Sequence, residues 1–324
     1  MKAHRTVRFL SVIAALLVLT SGLAVAQNVD YSTFEDSFES FASDVASSLP
    51  LNSSIGNNTP DAYIGQLLSA PPHFSIGVTT GASTIPYKTV EAAMKDLDLD
   101  TGQIDQLSGI GVPLPAYTVD ARVGGFILPF DVGLKIGGVP RTDFGMLPAE
   151  LEYFLVGADV RYAVIEQGAV LPNVSVGVGY NYLSGQVFVP DVFSGGYSFP
   201  VPDGSGRTLE FTDPDLTFNW QSSVIDFKVQ ASKQFLVVTP FAGLGTSLGL
   251  SSAGGGLDSE VLLDNNPISE SQANQLEQDI EDAGFDAPEL DPDQGIAIGS
   301  DVNGWGLRAF GGVGFNILAL KLDL

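Results

Sequence analysis

Charged residues of opposite sign recur at even spacings along this chain: Asp120 and Arg122, Asp131 and Lys135, Asp159 and Arg161, Asp226 and Lys228, Lys321 and Asp323, with Arg308 on its own. In an extended chain, residues two or four apart share a face, so each set projects to one side of a strand. Such groups can line a passage for solutes, or pair with one another and fill an interior. A second charged set has one sign only. Between Ser251 and Val302 there are 13 acidic residues and no basic one, Asp286, Glu289, Asp291 and Asp293 among them. Clustered oxygens suit a hard divalent cation. The run Asp291-Pro-Asp-Gln-Gly295, however, carries a proline and lacks regular ligand spacing, so a solvated, self-repelling loop is the expectation there. His73 is the one histidine after the first 26 residues. Next to Pro72, at the start of a predicted strand, it reads as a capping or interface residue rather than a general base. No His-Glu-x-x-His or phosphate-cradling glycine motif occurs, so neither an enzyme nor a cofactor is expected.

The elements that must carry these charges are strands. From Asn173 to Tyr182, Val174, Val176, Val178, Tyr180 and Tyr182 alternate with Asn173, Ser175, Gly177, Gly179 and Asn181, giving one apolar and one small polar face. Phe154, Val156, Ala158, Val160, Tyr162 and Val164 repeat the pattern against Gly157, Asp159, Arg161 and Ala163. The alternation predicts nine strands, at 72–82, 116–126, 129–139, 151–166, 172–189, 214–232, 235–249, 303–316 and 318–324. Phase changes near Leu183 and near Ser222-Ser223 predict β-bulges. Every paired charge falls on the polar parity, and none falls on the apolar face of the well-patterned segments. The connections alternate too: long at 83–115, short at 127–128, medium at 140–150, short at 167–171, long at 190–213, short at 233–234 and very long at 250–302. Within the last, Ser269 to Asp282 has helical character.

The chain opens with Lys2, Arg5 and Arg8, an apolar run from Phe9 to Leu19, and Ala24-Val25-Ala26. This is the pattern of a secretory signal peptide cut before Gln27; the apolar run is shorter than the roughly 20 residues of a spanning helix. Of the 14 Lys and Arg residues, three lie in 1–26, which leaves 11 against 38 Asp and Glu, a formal charge of −27. Nucleic acid is an unsuitable partner for such a surface. With no cysteine, disulfides, thiol nucleophiles and thiolate metal sites are excluded. Residues 27–71 differ from the rest. Phe34, Phe38, Phe41 and Val45 stand at helical spacing after the possible caps Asp30 and Ser32, and a Ser/Asn/Pro-rich linker follows from Ser47 to Pro60. The expectation is a periplasmic amphipathic helix that packs against the rest of the fold; a plug entering a barrel is the sharper reading.

The segments Thr239-Pro-Phe-Ala-Gly-Leu-Gly-Thr-Ser247 and Leu307-Arg-Ala-Phe-Gly-Gly-Val-Gly-Phe315 resemble the strand motifs of the small bacterial outer-membrane β-barrel superfamily. The resemblance covers most of 72–324 and implies a fold and a location, with no active-site residues to carry over. The expected fold class is all-β: an antiparallel up-and-down transmembrane barrel of about ten strands with a short N-terminal helix. Long connections would face outside and short turns the periplasm. A soluble β-sandwich is the rival, disfavoured by a polar face rich in Gly, Ser and Asn and by Phe130, Tyr180, Tyr182, Trp220 and Trp305 on the apolar faces toward strand ends. Nine strands and a last residue Leu324, where such barrels commonly close on an aromatic, predict a C-terminally truncated barrel. The expected partners are outer-membrane lipid, small solutes in a porin-like lumen and divalent cations at the acidic loop. The expected function is passive transport of small solutes or hydrophobic compounds; the alternative is a non-conducting surface adhesin or structural protein acting through its acidic external loops.

Overall fold

The computed structural model describes residues 31–70, 72–96, 105–143, 150–190, 197–201, 205–284, 290–291, 295–317 and 320–323. The expected signal peptide, the Asp30 cap and the acidic residues Asp286, Glu289 and Asp293 lie outside them. Each of the nine predicted strands is present: β1 (Phe74–Ile85), β2 (Val112–Gly124), β3 (Phe130–Asp143), β4 (Glu150–Ile165), β5 (Asn173–Val189), β7 (Thr208–Ser232), β8 (Val238–Leu263), β11 (Gly295–Ile317) and β12 (Leu320–Asp323). Three short ones join them: β6 (Tyr197–Pro200), β9 (Asn266–Pro267) and β10 (Leu290–Asp291). All belong to one antiparallel sheet, in the order β1-β2-β3-β4-β5-β7-β8-β11, with β12 on the far side of the base of β11. The sheet curls into a half-barrel. Among the described residues no second sheet packs on it, and no helix is long and apolar enough to cross a membrane.

Two predicted loops are largely ordered elements. β7, β8 and β11 run on into 208–213, 251–263 and 295–302, well beyond their expected ends. The two-residue turn Asp264-Asn265, with both residues left-handed (φ 51° and 65°), reverses β8 into β9, as a tight hairpin requires. The helix expected from Ser269 is α3 (Glu270–Asp282). Its Ala273, Leu276 and Ile280 pack on Leu209, Phe211 and Val261 of the extended β7–β8 hairpin. The long connection after β1 holds α2 (Tyr87–Asp96). There the Tyr87 hydroxyl donates to Asp105 Oδ1 (2.7 Å) and its pKa is pushed up to about 12 by that bond.

The bulges expected at Leu183 and Ser222-Ser223 are absent. Pairing is continuous from Asn173↔Ser232 to Val189↔Leu216, and irregularities fall instead at Val139/Thr142, Ala163/Ile165 and Thr212/Asp215. Leu183 and Trp220 are fully inward, 0% and 4% exposed. The side-chain parity therefore does not change at either place; what changes there is the chemistry of the inner face, from charged to apolar. Trp220 accordingly lies against Phe218 (ring centroids 6.1 Å) and not among the outward aromatics, whereas Tyr180 and Trp305 do face out.

The concave face is occupied by the N-terminal segment. Helix α1 (Tyr31–Ser53) packs against β11, β8, β7 and β1. It outlasts the predicted boundary at Ser47 because Ala46 and Leu49, both 0% exposed, continue the stripe of Phe38, Phe41, Ala42 and Val45. The Phe34 side chain is outside the described ones. The ring of Pro50 sits so close to Gly249 that a Cβ there would lie 2.5 Å from Pro50 Cγ. The expected helix packs on the sheet itself. It lies on the inner face toward the long connections, because that half presents Leu155, Leu183, Val187 and Phe218 to it. Residues 54–67 then run irregularly toward the short turns, where the Leu67 N–H donates to the Gly125 carbonyl (2.8 Å).

Candidate functional site

Strand alternation delivers nine of the eleven singled-out charges to the concave face toward the short turns. Asp120, Arg122, Asp131, Lys135, Asp159, Arg161, Asp226 and Lys228 are buried, and the side chain of Arg308 is 10% exposed. Lys321 and Asp323 stand on β12, and Asp291 on β10, with side chains outside the described ones.

The partners are not neighbours along a strand. Arg122 reaches Asp131 on β3 (2.5 Å) and Asp159 on β4 (2.6 Å), Arg161 binds Asp131 (2.9 Å), and Lys228 on β7 meets Asp159 (3.1 Å). Arg308 on β11 binds Asp226 on β7 (2.6 Å), which also accepts from the Ser247 hydroxyl (2.8 Å). Three of these pairs skip a strand. Neighbouring strands stand about 4.8 Å apart, so a long side chain must lie flat across the strand between, and the residue beneath must be small. Gly133 is that residue under Arg122–Asp159: a Cβ there would fall 2.4 Å from both Arg122 Nη2 and Asp159 Oδ1. Gly245 does the same under Arg308, 2.9 Å from its Nε, and Gly177 lies beneath Arg161 and Lys228. The glycines of the polar face are thus part of the ion-pair geometry.

Five cations face four acids here, and the surplus donors go to backbone. Lys135, whose nearest acid in sequence is Asp131, instead donates to the carbonyls of Ser53 (2.5 Å) and Ile55 (2.7 Å). Arg122 donates to the Asn57 carbonyl (3.1 Å) and Arg161 to that of Asp61 (2.8 Å). In return the Ile64 N–H donates to Asp131 Oδ2 (3.2 Å). Asp120 accepts from Thr79 Oγ1 (2.9 Å). Burying a charge is costly unless it is paired and hydrogen-bonded, and the linker carbonyls add to that pairing, while Arg122 Nε and the Nε and Nη1 of Arg308 stay without a hydrogen-bond partner among the described residues.

Sequence reasoning missed Gln230, which donates to the carbonyls of Thr59 (2.8 Å) and Pro60 (3.3 Å), and Ser232, whose hydroxyl accepts from the Ala62 N–H (2.9 Å). The signal was present: both follow Lys228 at even spacing and so share its face. The linker backbone had no signal, because carbonyls are not visible in residue types. Gly56 and Asn57 take left-handed φ (87° and 57°) to bring the linker against Thr118, and a Cβ on Gly56 would sit 2.3 Å from Thr118 Oγ1. His73 Nδ1 lies 2.7 Å from the Ser69 hydroxyl and 3.1 Å from the Gln66 carbonyl, bracing the approach to β1.

Chemically, this arrangement is a packed polar core rather than an open cleft. Among the described residues no three His, Asp or Glu side chains are grouped to hold a metal ion. The acidic α3 is tied to its hairpin by Asp279, bound to Arg207 at 2.8 Å. No family model matches the chain, and neither does any curated protein or solved structure.

Proposed function

We propose that this chain is exported and forms the wall of an outer-membrane β-barrel of about ten strands, non-conducting, which acts through what it presents outside. The observation that carries the membrane reading is the inverted distribution of polarity. The convex face exposes Ile76 (75%), Val78 (78%), Leu134 (60%) and Leu307 (88%), while charged side chains are buried on the concave side. Monomers in water rarely expose apolar patches beyond a few hundred Å²; lipid is the solvent such a face suits. No charged residue occupies an outward position between Phe154 and Val164 of β4, nor at the matching positions of β1, β2, β3, β5, β7 and β8; on β11 the exception is Asp301, in register with Phe154 at the edge of this band. Ten residue steps along β4 span about 33 Å, which at a tilt near 45° gives about 23 Å of height, close to the roughly 25 Å apolar band of outer-membrane barrels.

The non-conducting reading rests on the filled concave face. Passage of small solutes or hydrophobic compounds would require residues 31–67 to leave. That would uncover Phe38, Phe41, Val45 and Leu49 and strip the lysine and arginine donors of their carbonyl partners. The part left to act is the long-connection end, where the β7–β8 extension and α3 carry an acidic surface suited to a basic partner or divalent cations. Planar-bilayer recording on folded, inserted protein tests this: no discrete channels are expected, and stable conductance would return the assignment to passive transport. Failure to partition into phospholipid vesicles would remove the membrane reading itself.

A further inference from the structure

At the end of the sheet where strands connect by short turns, each of the three described turns has an apolar tip. They are Phe126–Leu128 between β2 and β3, Val170-Leu171 between β4 and β5, and Phe235–Val237 between β7 and β8. Ile127 is 81% exposed, Val170 88% and Leu236 98%. Turns that project into water are ordinarily built from Gly, Asn, Asp and Ser, whose polar groups and backbone freedom suit solvent. These three are not.

Many of the carbonyls of the same turns are paired within the protein. Lys233 spends all three of its donors on the neighbouring turn, on the carbonyls of Gly168 (2.6 Å), Ala169 (3.2 Å) and Leu171 (2.9 Å). Gln167 and Gln234 link these two turns reciprocally: Gln234 N–H donates to Gln167 Oε1 (2.7 Å), and Gln167 Nε2 to the Gln234 carbonyl (3.4 Å). The first turn receives the same treatment from the linker, as Gln66 Nε2 donates to the Ile127 carbonyl (2.8 Å) and Leu67 N–H to that of Gly125 (2.8 Å). Glu166 and Lys233 stand at the turn roots, away from the tips. Pairing these carbonyls lowers the cost of placing an irregular loop with hydrocarbon side chains in an apolar medium.

Continuity identifies that medium. The outward positions leading into the turns are Val123, Val164 and Val229, 39%, 57% and 50% exposed; the apolar surface passes uninterrupted onto the β2–β3 tip, and at the other two turns it is interrupted by Glu166 and by Lys233, whose ammonium is turned to the neighbouring turn's carbonyls. We infer that the short-turn end is seated in the apolar part of the lipid bilayer, so that the protein is anchored there by its turns as well as by its belt. The inference rests on the membrane reading above.

The chain has no cysteine, so single cysteines report alone. Leu236→Cys and Val170→Cys test the tips, Val160→Cys the belt, and Asn265→Cys the far hairpin. Each is reconstituted in phosphatidylcholine vesicles with a membrane-impermeant maleimide on both sides. The tip cysteines should label at least tenfold more slowly than Asn265→Cys, with the difference erased in urea. Tips labelling within twofold of Asn265→Cys while Val160→Cys stays protected would overturn this inference and leave the membrane reading standing; rapid labelling of Val160→Cys would overturn both. Tip protection that disappears as protein is diluted at constant lipid would assign the cover to a second copy and refute lipid seating. Should a cysteine variant fail to fold, hydroxyl-radical footprinting of the unmodified chain in vesicles decides the matter: Phe126, Phe235 and Leu236 must be shielded relative to Ile110, and equal oxidation refutes it.

Discussion

The two halves of the concave face hold two different kinds of chain. Toward the long connections the wall is apolar and is met by a helix; toward the short turns it is charged and is met by an irregular linker. A helix pairs its own backbone groups, so α1 can lie against Leu155, Leu183 and Phe218 with a hydrocarbon stripe, its buried Asn52 being a polar contact that donates to the Leu114 carbonyl (2.7 Å). The linker has no such ladder. Buried carbonyls must be paired, and those of Ser53, Ile55, Asn57, Thr59, Pro60 and Asp61 find Lys135, Arg122, Gln230 and Arg161. What the wall offers and what the filler needs match layer by layer.

The sharpest way to break that match is in the charged half. Arg161 is 0% exposed and holds both oxygens of Asp131 (2.9 Å each) together with the Asp61 carbonyl. Arg161→Met leaves Asp131 buried with one cation fewer and a carbonyl stranded, and breaking such a network costs about 3–5 kcal/mol. Urea unfolding of the vesicle-inserted protein should show that loss; a change under about 1 kcal/mol would mean that water already reaches this layer. Phe41→Ala makes the parallel cut in the apolar half. Phe41 is 2% exposed with its ring 5.1 Å from that of Phe218, and truncation should cost about 3–4 kcal/mol. The two losses should differ in kind: only the Arg161 variant should recover when Asp131 is neutralised by Asp131→Asn in the same chain.

How far this division could be read in advance depends on the layer. In the charged half, the alternation through Asp159, Arg161 and Asp226 put these side chains on the buried face, because a charged face set against an apolar one is visible in residue types. In the apolar half both faces of the wall are greasy, so alternation fades. The stretch from Leu183 to Val189 and the Trp220-to-Val224 stretch then resembled slipped registers. Strand ends were lost for a related reason. Ala253-Gly-Gly-Gly256 in β8 has no side chains to alternate, and only its pairing with β7 and β11 makes it a strand. The ion pairs themselves were illegible, since strand-skipping contacts depend on which glycine comes to lie beneath them.

That dependence gives a smaller and more pointed test. Gly133→Ala adds one methyl that collides with both members of Arg122–Asp159. Overpacking of a filled site costs roughly 1–3 kcal/mol. Gly168→Ala, where a Cβ meets nothing within 4 Å, should cost well below about 1 kcal/mol. Equal unfolding midpoints for the two variants would show that the pair shifts freely and that the glycine has no part in it.

The mildest perturbation separates filler from wall. Gln230→Met removes the donor to Thr59 and Pro60 without orphaning a carboxylate, so the wall keeps every ion pair while two linker carbonyls lose their partner. The global cost should be about 1–2 kcal/mol, but its distribution is the informative part. If linker and wall are held by these bonds, hydrogen exchange at Ala62 and Ile64, whose amides donate to Ser232 and Asp131, should quicken by about tenfold or more. That acceleration corresponds to local opening below the global limit, and the amides of β4 and β5 should stay at their wild-type rates. Acceleration shared by β4 and β5 would show instead that linker and sheet unfold as one body, and that the charged layer is as much a single core as the apolar one above it.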